Sequence, residues 1–284
     1  MKISVVVPCY NADRTLARQL QALARQTVPP WEVIVADNGS TDRSAEVARC
    51  FASTLPRFNV VDASSRRGAS HARNVGANAA TGDVLAFCDA DDEVAPDWIE
   101  GLQKALSVHC FVASRFDLTK LNPYLQYVHP QALGLIEDPT FDFLPRAGAC
   151  GLAILRSVHE LVGGFDERIR YHEDTDYCWK VQLAGMTLAW APDAVIHVQH
   201  RSSDIEKFRQ ARLWAASQVK VYKKYRPLGM RKISNRAALE EWFRVARLFA
   251  RLAVHGGTWS DFAWRLGTRI GRLQGSIACA VLLL

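Results

Sequence analysis

From the N-terminus, apolar runs of strand length alternate with stretches whose apolar positions repeat at helical spacing. Lys2 to Val7 is rich in β-branched residues and reads as a buried strand stopped by Pro8. Asp13 is placed to cap a helix in which Leu16, Leu20, Leu23 and Ala24 share one face, and Pro29-Pro30 follows its end. Glu32 to Ala36 predicts a second strand, Ser44 to Phe51 a helix, Asn59 to Val61 a third strand, Ala69 to Ala80 a small-residue helix and Val84 to Cys88 a fourth strand. Near-continuous apolar strands alternating with helices predict an α/β domain, a Rossmann-like, mostly parallel sheet covered by helices on both faces. Further on, the pattern predicts a helix from about Pro96 to Val108, strands over 110–118 and Gly148 to Leu155, a helix beginning near Thr175 and a last strand around Val195 to Val198. Between them 122–145 is irregular, with four prolines, a loop long enough to carry function.

Composition changes this picture little, and charge changes it more. The 284 residues are 49% hydrophobic and 23% charged, which excludes a disordered chain. Seven cysteines form no Cys-x-x-Cys pair, so neither a zinc module nor a disulfide framework is expected, and most read as small buried hydrophobes in a reducing compartment. No apolar run is long enough for a transmembrane helix and no signal peptide is read, which points to a cytoplasmic protein. Residues 201 to 284 hold 17 Lys and Arg against 5 Asp and Glu, whereas the first 200 residues hold 18 against 24. That basic segment also carries Trp214, Trp242, Phe243, Phe249, Trp259 and Trp264 on amphipathic helices. It reads either as a helical cap with a solvated basic face or as a peripheral contact with an anionic membrane, on the inner face for a cytoplasmic protein. Gly267, Gly271 and Gly275 recur at a spacing that permits close helix contact. No nucleic-acid recognition motif accompanies the charge.

The chemistry concentrates where strands end. Tyr10 and Asn11, Asp37, and Asp89 with Asp91 all follow the predicted first, second and fourth strands, the edge at which open α/β sheets bind ligands. If the fourth strand continues, Asp89 and Asp91 point the same way with Ala90 behind them, and two facing carboxylates call for a cation. A hard divalent ion, Mg²⁺ or Mn²⁺, suits such oxygen ligands. Asp37 is placed to accept hydrogen bonds from a base or ribose, or else to make an Asx turn before Gly39. The absence of Gly-x-Gly-x-x-Gly and of Gly-x-x-x-x-Gly-Lys argues against dinucleotide enzymes and P-loop NTPases.

Taken together, Ser4-Val5-Val6-Val7-Pro8-Cys9-Tyr10-Asn11, Asp37-Asn38-Gly39-Ser40-Thr41-Asp42, Ala72-Arg73-Asn74-x-Gly76, Gly82-Asp83 and Asp89-Ala90-Asp91-Asp92 resemble a family 2 glycosyltransferase over roughly residues 3 to 201. The resemblance implies the GT-A fold, an inverting transfer and a nucleotide-diphosphate sugar lying across the strand ends. It implies a catalytic domain over 1–201, with a donor half to about 95 and an acceptor half from about 96, followed by the basic helical extension over 202–284. By the same resemblance Pro8, Tyr10, Asn11 and Asp37 would line the donor pocket and Arg73 would approach the nucleotide. Asp89 and Asp91 would hold the metal and diphosphate, Asp91 being the surer metal ligand. His172-Glu173-Asp174-Thr175-Asp176 resembles the catalytic motif, with Asp174 as the base that deprotonates the acceptor hydroxyl or, more plainly, as the helix cap. Its acidic neighbours Glu173 and Asp176 are expected to raise its pKa. Gly163-Gly164-Phe165-Asp166-Glu167 resembles the acceptor-side motif, and His200 rather than His197 matches a metal or diphosphate ligand. The implied partners are a nucleotide-sugar donor and a glycan or lipid-linked acceptor. A sugar-phosphate nucleotidyltransferase and a catalytically silent nucleotide-sugar or lipid-binding protein are the other readings.

Overall fold

A computed structural model describes residues 1–123, 134–136, 143–200, 203–232, 235–257 and 259–283, with the side chains of 235–239 excepted. The irregular stretch expected over 122–145, and Arg201, therefore lie largely outside the described residues. The chain forms two compact units, one of residues 1–137 and 144–200, the other of 138–143 and 201–284.

The first unit runs β1 (Ile3–Cys9), α1 (Leu16–Ala24), β2 (Glu32–Asp37), α2 (Ser44–Arg49), β3 (Asn59–Asp62), α3 (Ala69–Ala79), β4 (Val84–Phe87), β5 (Glu93–Val94), α4 (Trp98–Leu106) and β6 (Phe111–Asp117). It continues with β7 (Leu135–Ile136), β8 (Arg146–Ala147), β9 (Leu152–Leu155), α5 (Arg156–Val162), α6 (Glu173–Leu183) and β10 (Ala189–His197). The main sheet has the order β3-β2-β1-β4-β9-β6-β10-β5. Its first four strands are parallel, as their apolar runs predict. The chain leaves β1 toward β2 and β3, then returns to place β4 on the other side of β1. This reversal opens a crevice at the carboxyl ends of β1 and β4. Beyond β4 the sheet is mixed, because β9 runs antiparallel to both β4 and β6, an arrangement no local periodicity announces.

Alternation divides the β1 side chains. Ile3, Val5, Val7 and Cys9 join the core that includes Leu16, Leu20 and Leu23 of α1 and Trp98, Ile99 and Leu102 of α4. On the opposite face α3 comes so close that a Cβ at Gly76 would collide with the side chain of Val6, which explains the glycine of the Ala-Arg-Asn-x-Gly segment.

Four local expectations change. Pro8 does not stop β1 but pairs with Ala36 inside it. The carbonyl of Val6 faces β4 and that of Cys9 faces β2, so the missing Pro8 N–H lies on the β4 side, beyond the end of that strand. Asp13 does not cap α1: its backbone N–H donates to Asp42 Oδ2, and Thr15 occupies the cap position. The fourth strand ends at Phe87 and residues 90–92 turn, so Asp89 and Asp91 do not alternate along a strand. Helix α6 starts at Glu173, placing Asp174 in its first turn, with His172 as the cap residue at φ 61°.

The second unit holds three long helices, α7 (Asp204–Tyr225), α8 (Asn235–His255) and α9 (Ser260–Cys279). The glycine spacing has a direct structural use. A Cβ at Gly267, Gly271 or Gly275 of α9 would lie closer than 3.0 Å to the carbonyl oxygen of Phe208, Arg212 or Ala216 of α7, so two four-residue rows meet backbone to backbone. Among the described residues no helix is long and apolar enough to cross a membrane.

Candidate active site

Helix α3 organises the site because consecutive side chains on it hold different loops. Arg73 is 3% exposed and donates through Nη2 to Asp89 Oδ1 (2.8 Å) and through Nη1 to Glu173 Oε1 (3.0 Å). Asn74 accepts the Phe165 N–H (2.8 Å) and donates to the Phe165 carbonyl and to Glu167 Oε1 (both 3.0 Å). Glu167 is also met by His71 (3.1 Å) and Arg66 (3.4 Å). The segments 89–92, 163–167 and 173–174, far apart in sequence, are thereby tied to one helix turn. Phe165 stacks on Tyr177 of α6 with ring centroids 4.1 Å apart and meets Phe87 of β4 edge-on at 5.3 Å, giving the junction an apolar floor.

At the end of β1, Tyr10 is exposed, with the Arg67 guanidinium 4.4 Å from its ring centroid. Asn11, at φ 50°, accepts the Thr41 N–H (2.8 Å), so its side-chain oxygen serves the neighbouring loop. Asp37 Oδ1 accepts the Ser40 N–H (3.0 Å), the Asx turn the sequence permits. Asn38 is buried and clamps the loop after β3. It donates to the carbonyls of Ala63 (2.6 Å) and Arg66 (2.8 Å) and accepts the Gly68 N–H (2.8 Å). Neither Arg67 nor Asn38 is singled out by the sequence reading. Arg67 sits in a polar run with no period, and Asn38 reads as ordinary turn chemistry.

Three carboxylates crowd the turn after β4. Asp91 is exposed, Asp89 is one-third exposed at its side chain, and Asp92 is 2% exposed. Burial, with Asp89 and Asp91 adding to it, pushes the Asp92 acid well above the usual carboxylate range, although the Gln199 N–H donates to it at 2.9 Å. Ligand atoms of Asp89, Asp92 and Cys150 lie within 4.8 Å of one another, a group that includes neither Asp91 nor His200. Burial holds the Cys150 thiol protonated, so it offers no anionic sulfur. Asp89 meets Arg73, and the three carboxylates together make the turn rich in hard oxygen donors. Such a set fits Mg²⁺ or Mn²⁺, with Asp89 and Asp91 on its open side.

At the start of α6, Asp174 Oδ1 accepts the Thr175 N–H (2.6 Å) and hydroxyl (3.3 Å). Burial, then Asp174, push the neighbouring Glu173 carboxyl to about 7 against the pull of Arg73. His200 is exposed and its backbone N–H donates to Asn122 Oδ1 (2.6 Å), while His197 pairs with Asp117 at 2.5 Å.

The model of glycosyl transferase family 2 matches residues 4–156. The chain belongs to that family. The glycosyltransferase YibD of Escherichia coli K12 is 42% identical over 101 residues, 36% of this chain and 29% of that protein. Validoxylamine A glucosyltransferase of Streptomyces hygroscopicus subsp. limoneus is 33% identical over 156 residues, 51% of this chain and 33% of that protein. The matches thus span about a third of these relatives' own length. Among solved structures, the mannosyltransferase PcManGT of Pyrobaculum calidifontis with GDP-Man and Mn²⁺ superposes with a TM-score of 0.67 at 21% identity, covering 96% of this chain and 87% of that one. S. aureus TarS 1–349 with UDP-GlcNAc gives 0.58 at 15% identity, covering 100% and 93%. These likenesses show the shared GT-A fold.

Proposed function

We propose that the protein is an inverting glycosyltransferase that moves a sugar from a nucleotide-diphosphate donor to a hydroxyl of a glycan or lipid-linked acceptor. The observation that carries this reading is the Arg73 bridge, which holds the carboxylates after β4 and the start of α6 on one guanidinium. The donor lies over the ends of β1, β2 and β4, its base near Tyr10, Asp37 and Arg67 and its diphosphate toward Asp89 and Asp91. Mg²⁺ or Mn²⁺ held by Asp89 and Asp91 would neutralise charge on the leaving diphosphate. The outer oxygen of Asp174 takes the proton of the acceptor hydroxyl as that oxygen attacks the anomeric carbon. Direct displacement inverts the configuration there. Glu173, fixed by Arg73, keeps the helix start in place. Family membership and structural neighbours solved with GDP-Man and UDP-GlcNAc support a nucleotide-sugar donor.

A second reading gives the proton transfer to Glu173, whose pKa of about 7 suits a base near neutrality. It is disfavoured because Arg73 already engages Glu173, and Glu173→Gln against Asp174→Asn separates the two. The proposal is tested by thermal shift with UDP, GDP, dTDP and CDP, each with and without Mn²⁺. One nucleotide should raise the melting temperature, by about 3 kcal/mol of added stability at a hundredfold excess over its Kd, and only with metal. No shift with any of them would favour a silent binding protein. Release of diphosphate from a nucleoside triphosphate and a sugar phosphate would indicate a nucleotidyltransferase.

A further inference from the structure

A helix that packs on one neighbour needs one apolar stripe, and α8 has two. Its inner stripe contains Val245 and Leu252, both buried. On the opposite side Phe243, Ala246, Ala250 and Val254, spaced i, i+3, i+7 and i+11, are all exposed, Phe243 by 67% and Val254 by 75%. At about 100° per residue these four fall within one sector of the helix. Arg247 and Arg251 run along one edge of that sector, and neither has an ion pair among the described residues, unlike Arg244, which Glu241 holds at 2.6 Å. Along the other edge Phe249, 51% exposed, continues into an aromatic group with Trp259 and Phe262, whose ring centroids lie 5.5 to 6.3 Å apart.

An exposed apolar band bordered by free arginines is a poor surface to leave in water. Exposed Phe and Val would contribute more if covered, and arginine stems lie along such a band while their guanidinium groups reach outward. We infer that this face of α8 seats the protein on an anionic phospholipid surface, with Phe243, Phe249 and Val254 entering the interface and Arg247 and Arg251 meeting lipid phosphates. Charge selects this occupant. Residues 201–284 carry 17 Lys and Arg against 5 Asp and Glu, so the same face of a second copy would bring like charge against like, whereas an anionic bilayer is complementary. Phe and basic residues side by side on a helix that does not span are the pattern of an interfacial helix.

The test is co-sedimentation of the whole chain with vesicles of phosphatidylcholine alone or mixed with phosphatidylglycerol. Binding is expected to the anionic vesicles only, at about 0.1 M salt, and to be lost near 1 M. Arg247→Gln with Arg251→Gln should weaken it on the order of thirtyfold. Phe243→Ser with Val254→Ser should weaken it at least about tenfold. Both pairs are exposed, so the melting temperature and the nucleotide-dependent thermal shift should stay at wild-type values. Absence of binding to anionic vesicles at low salt, or binding at the wild-type level by both variants, would overturn the inference. So would a wild-type dimer in equilibrium sedimentation that Phe243→Ser with Val254→Ser dissociates, since a second copy would then own the face.

Discussion

In the strand-and-helix unit charged side chains are drawn inward and each is held: Arg73 between Asp89 and Glu173, Glu167 beneath Asn74 and His71, Asp117 against His197. In the helical unit the α9 glycines leave room for the α7 carbonyls where any side chain would collide, and α8 leaves arginine and phenylalanine side by side at the surface. The difference shows which kind of constraint acts on each part. Buried charge fixes geometry around a reaction, and an exposed mixture of charge and apolar surface fits an interface.

The contrast breaks most severely at Arg73. Arg73→Met removes the buried cation that Asp89 and Glu173 share and should cost about 2–3 kcal/mol in a denaturant melt, because the largely buried Glu173 loses its partner. Gly271→Ala probes the other unit. Helix propensity alone would favour alanine by about 1 kcal/mol. The collision with the Arg212 carbonyl and the Ala215 side chain should reverse that sign and give a net loss of about 1–3 kcal/mol, read as a lower melting temperature.

A smaller, pH-dependent effect belongs to Asp117. Burial would raise its pKa, but the Thr119 hydroxyl and N–H and the His197 pair hold it at about 2, below its usual 3.8. A depressed carboxyl pKa contributes stability above the ordinary value and loses it as pH falls through the folded one. Here the shift corresponds to roughly 2 kcal/mol. Asp117→Asn should therefore be less stable than wild type by about 2 kcal/mol at pH 7, with the gap closing between about pH 4 and pH 2 when denaturation midpoints are compared. A gap that persists unchanged at low pH would remove this electrostatic account.

Much of the parallel half was legible because period does the work there. Buried strands of β-branched residues and a helix with Leu16, Leu20 and Leu23 on one face have few other places to go. The antiparallel insertion of β9 was not, since strand order depends on partners far away in the chain. Carboxylates at strand ends could be located by residue type, but not their division of labour. Whether Asp91 or Asp92 is buried depends on where the turn after Phe87 closes, and the raised Glu173 carboxyl depends on burial that only the folded chain supplies. Arg73 could be read as a residue near the nucleotide, but not as the one that joins Asp89 to Glu173 through both of its terminal nitrogens. The glycine row was visible as a spacing, and the carbonyls it meets were not.

In the proposed mechanism Asp174 carries the proton while the strand ends carry the donor. Its most direct test is the Asp174→Asn variant, measured for transfer and, in parallel, for the metal-dependent thermal shift by the nucleoside diphosphate. Transfer should fall by about 10² to 10⁴ with the thermal shift unchanged. Normal turnover by Asp174→Asn would contradict the assignment, and loss of the shift together with transfer would place Asp174 in donor binding instead.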